Sequence, residues 1–305
     1  MTVLAPLPGG PVHRVAFLGT PAMAVPVLRA LVEAGIDVGH VVTRADKRRG
    51  RGNDLVPSPV KAAALDLGLA VSHGVDDLLP VHASAPFDLA VVVAYGALIR
   101  PHVLERIPMV NLHFSLLPRW RGAAPVERSL LAGDAETGVC LMQIDEGLDT
   151  GGVIDRTSMV ITETTTADDI RRELVEDGIA LLLRHLAVGL GPVVPQAGEA
   201  SYASKIDPSE LAIDWTNAES VSRLVRLGGA YTNFRGRRLK IHGVRVLEGV
   251  GEPGRLTVAK SSVTVGTAAG LVELVSVQPE GKARMDAASW VNGTRPLDGE
   301  AFERG

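Results

Sequence analysis

Apolar side chains fall into short, uninterrupted runs that alternate with longer stretches of helical spacing. Residues 14–18 (Arg-Val-Ala-Phe-Leu) form one such run, which ends at Gly19-Thr20-Pro21, and residues 23–33 then carry apolar positions at helical intervals up to Gly35. This order predicts a strand, a tight turn and a helix. The alternation repeats. Residues 38–43 read as a strand, Ser58 and Pro59 supply an N-cap and a first-turn proline for a helix over 60–67, and 89–94 is a continuous apolar strand. Further strands are expected over 109–114 and 137–145, with a short helix over 124–132 between them. An extended segment at 158–161 precedes a long helix over 167–190, where Asp168, Arg171 and Glu176 surround apolar Ile170, Leu174 and Leu181. Strands alternating with helices in this way argue a Rossmann-like parallel sheet with helices on both faces.

After residue 190 the texture changes. Gly-Pro, Val-Pro and Ala-Gly punctuation over 189–204 marks a boundary, so the chain divides into a domain at 1–190, a linker at 191–209 and a second domain at 210–305. In the latter, a small helix over 220–227 is followed by short apolar runs at 239–247, 254–259, 262–265 and 271–277, separated by glycines. That spacing predicts a small antiparallel, OB-like β-barrel. Arg235, Arg237, Arg238, Lys240 and Arg245 lie on or near its first strand.

The length of 305 residues suits two domains, and 46% apolar with 22% charged residues is ordinary for a globular chain. The net charge of −4 is carried by the first two thirds, while the remainder is slightly basic. Bulk charge therefore does not mark a nucleic-acid binder, and any phosphate grip must be local. One local patch exists, Arg44-Ala45-Asp46-Lys47-Arg48-Arg49-Gly50-Arg51, which by charge alone reads as a solvated loop. The single cysteine, Cys140, lies in an apolar run and reads as a reduced core thiol. The longest apolar run, 89–99, is far shorter than the roughly 18 residues of a membrane span. Residues 1–13, rich in proline and glycine without an apolar signal core, are expected to be a loose tail of a cytoplasmic protein.

Gly19-Thr20-Pro21 lacks the second and third glycines of the dinucleotide fingerprint, which disfavours a nicotinamide dehydrogenase. The chemistry concentrates further on. Asn111 and His113 are two apart on an expected strand, and so share one side of the sheet. The loop Ser115-Leu116-Leu117-Pro118 follows at once, and Asp149 sits in the glycine-flanked turn Gly147-Leu148-Asp149-Thr150-Gly151. An amide can stabilise an oxyanion, an imidazole can move a proton, and a carboxylate can orient and support the imidazole. No G-x-S-x-G elbow accompanies them, which favours direct transfer to an amine over a covalent enzyme intermediate.

Asn111-Leu-His113-Phe-Ser115-Leu-Leu-Pro118-Arg-Trp-Arg-Gly122, together with Gly147-Leu-Asp149-Thr-Gly151, resembles the signature of the 10-formyltetrahydrofolate-dependent formyltransferases. Arg119–Val126, Gly133–Gly138, Ile213-Asp-Trp215 and Pro279–Met285 extend the resemblance toward the branch that acts on methionyl-tRNA. The resemblance implies a catalytic trio of Asn111, His113 and Asp149, and a folate-contacting loop of Ser115, Leu116, Leu117 and Pro118. It implies initiator methionyl-tRNA and 10-formyltetrahydrofolate as partners, with no metal and no membrane, in a monomer. It also turns the basic run into a tRNA-gripping arm, with Arg44, Lys47, Arg48, Arg49 and Arg51 as its contacts, and makes 210–305 a tRNA-binding domain. The chain departs from the family at Asn53-Asp54, where lysines are usual, and at Gly228-Gly229, where a proline-rich turn is usual. The alternative acceptor is a small amine such as an amino-sugar nucleotide.

Overall fold

The structure, a computed structural model, describes residues 3–49, 54–260 and 262–303, with the backbone alone for 47–49 and 54. They group into two compact units, one of Met1–Val126, Ala135–Val160 and Ile170–Ser204 and one of Glu127–Asp134, Ile161–Asp169 and Lys205–Gly305.

The first unit begins with β1 (Arg14–Gly19), α1 (Val25–Glu33), β2 (Asp37–Val42), and a hairpin of β3 (Lys47–Arg49) and β4 (Asp54–Val56). Next come α2 (Pro59–Asp66), β5 (Val71–Ser72), α3 (Leu78–Ser84), β6 (Leu89–Val93), α4 (Pro101–Leu104) and β7 (Met109–His113). They are followed by β8 (Arg121–Gly122), α5 (Pro125–Ala132), β9 (Glu136–Gln143), β10 (Val153–Val160), α6 (Ala167–Val188) and β11 (Tyr202–Ala203). Seven strands form one sheet in the order β10-β9-β7-β6-β1-β2-β5. From β5 to β7 the pairings are parallel, as the alternation of strands and helices predicts. All five residues of β6 are buried, as expected of a central strand covered on both faces. Ser58 Oγ accepts from the Lys61 amide at 3.0 Å and Pro59 follows, so α2 starts where its cap residues place it.

Beyond β7 the sheet is mixed, because β9 is antiparallel to both β7 and β10. A continuous apolar run carries no sign of strand direction, and this is why the reversal is invisible in the sequence. The N-terminal segment, expected to be loose, is tied down. The Ala5 amide donates to the Leu104 carbonyl and the Val12 amide to the Leu186 carbonyl, both at 2.8 Å, and Val12 is buried. Residues 191–204, where punctuation suggests a linker, also spend their backbone groups on this unit. Val194 bridges Val153, and β11 pairs with β8 in a two-stranded parallel ribbon. Among the described residues no helix is long and apolar enough to cross a membrane.

The second unit contains α7 (Ala218–Leu227), β12 (Tyr231–Phe234), β13 (Arg237–Leu247), β14 (Leu256–Val258), β15 (Val263–Gly266), β16 (Leu271–Pro279), β17 (Met285–Asp286) and α8 (Ala287–Thr294). The sheet order is β12-β13-β16-β15-β14, with β17 on β16, and every pairing is antiparallel. The C-terminal segment joins the two edges. The Leu256 amide donates to Glu300 O at 2.7 Å and the Phe302 amide to Gly254 O at 2.9 Å, while the Glu303 amide donates to Asn233 O at 2.9 Å. The sheet thus curls round a core in which Phe302 stacks on Trp215 at 5.2 Å and meets Phe234 and Trp290 edge-on or tilted. The two short segments from earlier in the chain are fixed to this unit by arginines. Arg128 Nη1 donates to Glu210 at 2.7 Å, and Arg226 Nη1 donates to the carbonyls of Thr162 and Thr165, each at 2.9 Å.

Candidate active site

β7 presents Asn111 and His113 on one side of the sheet. Asn111 is half-buried and His113 buried. His113 Nε2 donates to the Trp120 carbonyl at 2.9 Å, because a carbonyl only accepts and the proton must therefore sit on Nε2. Nδ1 faces Asp149 Oδ2 at 3.6 Å. A proton taken up on Nδ1 meets a carboxylate that is itself 14% exposed. Asp149 is held in place by the Gly122 amide, which donates to the same Oδ2 at 2.8 Å. Among the described residues the Asn111 side-chain amide has no hydrogen-bond partner, so its N–H groups are available to a ligand.

Backbone conformation explains the glycines on either side. Asp149 has φ of 53°, in the left-handed region that a β-carbon disfavours, and the turn around it must be held from outside. Thr150 Oγ1 donates to Asp145 Oδ1 at 2.6 Å, and the Gly147 amide donates to the same oxygen at 3.1 Å. A β-carbon on Gly151 would collide with the Gln143 carbonyl oxygen. Close approach of the turn to β9 is the reason for glycine there.

The expected folate loop lies beside this pair, and its residues divide in two. Ser115 is fully buried and its hydroxyl donates to the Arg119 carbonyl at 2.6 Å, so the side chain shapes the loop rather than facing a ligand. Leu117 is buried against Cys140 and Met142. Leu116 and Pro118 are part-exposed, and Leu116 borders an open groove with Glu136, Arg156, Thr157 and Ser158. The Leu117–Pro118 peptide is cis. Trp120, at φ 61°, donates its amide to Ser201 Oγ at 2.9 Å. Cys140 pairs with His113 across the β7–β9 ladder. Burial pushes its thiol up to about 11, which agrees with a core thiol and removes it as a nucleophile at neutral pH.

Of the basic run, Arg44 is exposed, and Lys47, Arg48 and Arg49 form the outgoing strand of the β3–β4 hairpin. Arg51 lies outside the described residues. The Lys61 ammonium donates to Asp46 Oδ2 at 2.7 Å, fastening the start of this hairpin to α2. Sequence reasoning gave Arg121 no role beyond its place in the signature and missed Gln196 and Ser201. Gln196 and Ser201 sit in turn-rich sequence with no periodicity to mark them, and only their contacts reveal them.

With this geometry in hand, comparison with known proteins is informative. Residues 13–186 match the formyl transferase family and residues 205–295 match its C-terminal domain. The methionyl-tRNA formyltransferase of Roseobacter denitrificans is 43% identical over 95% of this chain and 99% of its own. Among solved structures, WlaRD, a sugar 3N-formyl transferase in the presence of dTDP and 5-N-formyl-THF, superposes with a TM-score of 0.63 at 16% identity, covering 90% of this chain and 100% of that one. HypX from Aquifex aeolicus in complex with tetrahydrofolic acid gives 0.61 at 16% identity over 96% of this chain. The chain spans about half (51%) of the HypX length. At such identity these two structures speak for the fold. The family matches over both halves, with the near full-length relative, show that the chain belongs to the formyl transferases.

Proposed function

We propose that the chain transfers the formyl group of 10-formyltetrahydrofolate to the α-amine of initiator methionyl-tRNA. The observation that carries this reading is the pairing of buried His113 with half-buried Asp149 beside an Asn111 amide with no partner among the described residues, in a chain 43% identical to a methionyl-tRNA formyltransferase. The donor supplies an activated formyl carbon. Attack by the amine nitrogen forms the new C–N bond and places negative charge on the formyl oxygen, which the Asn111 amide is free to receive as a hydrogen-bond donor. The proton lost by the amine passes to Nδ1 of the neutral imidazole, Nε2 being engaged with the Trp120 carbonyl, while Asp149 balances the charge. Breaking the bond to N10 of the folate returns that proton to the leaving nitrogen, so atoms and charge balance. His113 keeps its orientation throughout through Nε2 and the Trp120 carbonyl.

Leu116 and Pro118, with the loop backbone, are the parts of the 115–118 segment free to meet the donor. Arg44, Lys47, Arg48, Arg49 and Arg51 grip the tRNA phosphates, supported by the second unit. The enzyme works as a cytoplasmic monomer without a metal. The test gives the purified full-length protein the folate donor with three acceptors: methionyl initiator tRNA, an amino-sugar nucleotide and glycinamide ribonucleotide. Formylmethionyl-tRNA should form at least a hundredfold faster than either small product. Turnover of a small amine in preference to the tRNA would overturn the reading.

A further inference from the structure

The Asp149 turn is not held by strand pairing, and besides its local contacts one distant side chain, Gln196, grips its backbone carbonyls. Gln196 Nε2 donates to the Asp149 carbonyl at 2.8 Å and to the Gly151 carbonyl at 2.7 Å. Its Oε1 accepts from Arg121 Nε at 3.0 Å and Nη2 at 2.6 Å. A primary amide has two N–H donors and two carbonyl lone pairs, so all four capacities of Gln196 are used. The two segments it joins are those that set the carboxylate. Asp149 carries it, and Gly122, next to Arg121, donates to it through its backbone amide.

We infer that Gln196 is a positioning residue for the transfer reaction, fixing the Asp149 carboxylate against His113 by clipping the 149–151 turn to Arg121; this rests on the proposed role of Asp149. Several features favour positioning over general packing. Gln196 is half-buried and belongs to no core cluster, so its removal empties little apolar space. Asp149 is in the left-handed region, where a turn relaxes once its restraints go. The separation that matters, 3.6 Å between Nδ1 and Oδ2, leaves little slack. The polarity of the amide is also specific. Glutamine serves two carbonyl acceptors on one side and a guanidinium on the other, whereas glutamate at the same position turns an oxygen toward the Asp149 and Gly151 carbonyls and keeps only the arginine side.

Gln196→Met keeps the volume and loses every hydrogen bond, and Gln196→Glu keeps the bonds from Arg121 and loses those to the turn. Steady-state formylation by the full-length protein, with 10-formyltetrahydrofolate and methionyl initiator tRNA each varied, separates kcat from KM, and thermal melts monitor the fold. Both variants should lose about 10- to 100-fold in kcat, as expected for a misplacement on the order of 1 Å at a reacting centre, with both KM values within about twofold of the parent. Introduced into an Asp149→Asn background, Gln196→Glu should cost less than about twofold more, because the residue acts through a carboxylate already neutralised. Unchanged kcat in Gln196→Glu, or a full multiplicative loss in the double variant, would overturn the inference. A normal kcat in Asp149→Asn alone would instead remove the role of Asp149, and this inference with it.

Discussion

Asp149→Asn isolates the charge in the His113–Asp149 pair. Asparagine keeps a carbonyl oxygen for the Gly122 amide, which now bonds Oδ2 at 2.8 Å, so the turn retains its anchor and only the negative charge is lost. The carboxylate lies 3.6 Å from His113 Nδ1, and the side chains are 14% and 6% exposed. At an effective dielectric of about 20, Coulomb's law gives about 4–5 kcal/mol between unit charges at that separation. That sum matters only when the imidazole carries the amine's proton, so it acts in the transition state and not on substrate binding. With about 1.4 kcal/mol per tenfold in rate, the ceiling on the loss in kcat is about three orders of magnitude, and an Asn dipole recovering part of the interaction brings the expectation to roughly 100- to 1000-fold. Rapid-quench measurement of a single turnover, at saturating donor and tRNA, reads the transfer step directly. A loss below about tenfold, or one carried by KM at unchanged kcat, would refute the assignment of Asp149 as the group that balances the charge on His113.

Other parts of the structure yield sharper or simpler tests. Gly151→Ala sets a methyl group against the Gln143 carbonyl oxygen; it should destabilise the first unit by about 1–3 kcal/mol in urea titrations and lower kcat as the turn shifts. Phe302→Ala removes the ring that stacks on Trp215 and meets Phe234 and Trp290, at an expected cost of about 3–5 kcal/mol, read from tryptophan fluorescence during unfolding of the second unit. Cys140, raised from 9.0 to about 11 by burial, stays protonated in the native state at a pH where the unfolded thiol ionises. Its contribution is therefore fully present below pH 9 and lost as pH rises from there to about 11, and Cys140→Ala should lose less melting temperature over that interval than the parent. The same thiol should resist alkylation at pH 8 until the protein is unfolded. Arg48→Ala should raise the KM for tRNA and flatten its dependence on salt by about one counterion, with the KM for the folate donor unchanged; an identical salt slope would remove Arg48 from the tRNA contacts.

The alternation of apolar strands and helical stretches was enough to read β1, β2, β6 and β7 of the first sheet but not the two-residue edge strand β5, because central strands buried on both faces leave an unambiguous apolar signature, as β6 does. The cap at Ser58 was legible for an equally local reason. What escaped were features decided by distant partners. The hairpin of β3 and β4 has an all-basic first strand, Lys47–Arg49, whose composition resembles a solvated loop. α3 carries Pro80 in its first turns, which masks it as a turn. The C-terminal segment that joins the edges of the second sheet has only Phe302 to betray its burial. Among the site residues, Asn111 and His113 could be placed on one side of a strand from their spacing alone, but Ser115 and Leu117 could not be told from ligand-facing residues without knowing that the loop folds over its own hydroxyl and onto Cys140.

The least legible feature of the site is also the one that explains its construction. In the antiparallel ladder, Gln143 at the end of β9 stands opposite Val110, while His113 stands opposite Cys140. The chain therefore leaves β9 three residues past the level of His113, a distance along β7 of about 10 Å at the rise of an extended strand. The Asp149 turn must run back over that distance to bring its carboxylate to 3.6 Å from the imidazole. A strand residue would be placed by its ladder, but a turn reaching this far has no ladder. Its position depends on discrete clamps: Thr150 and Gly147 on Asp145, the close approach of Gly151 to Gln143, the Gly122 amide on the carboxylate, and the Gln196 amide across the two carbonyls. Apart from the local contacts at 143–151, the clamps come from Gly122 and Gln196, on separate segments of the first unit, so the catalytic geometry depends on that unit being fully folded, including the stretch at 191–204 that resembles a linker. Cutting the chain after residue 190 should accordingly abolish transfer to any amine, even where the seven-stranded sheet survives. Circular dichroism showing an intact sheet, together with formylation of a small amine by residues 1–190, would contradict this dependence.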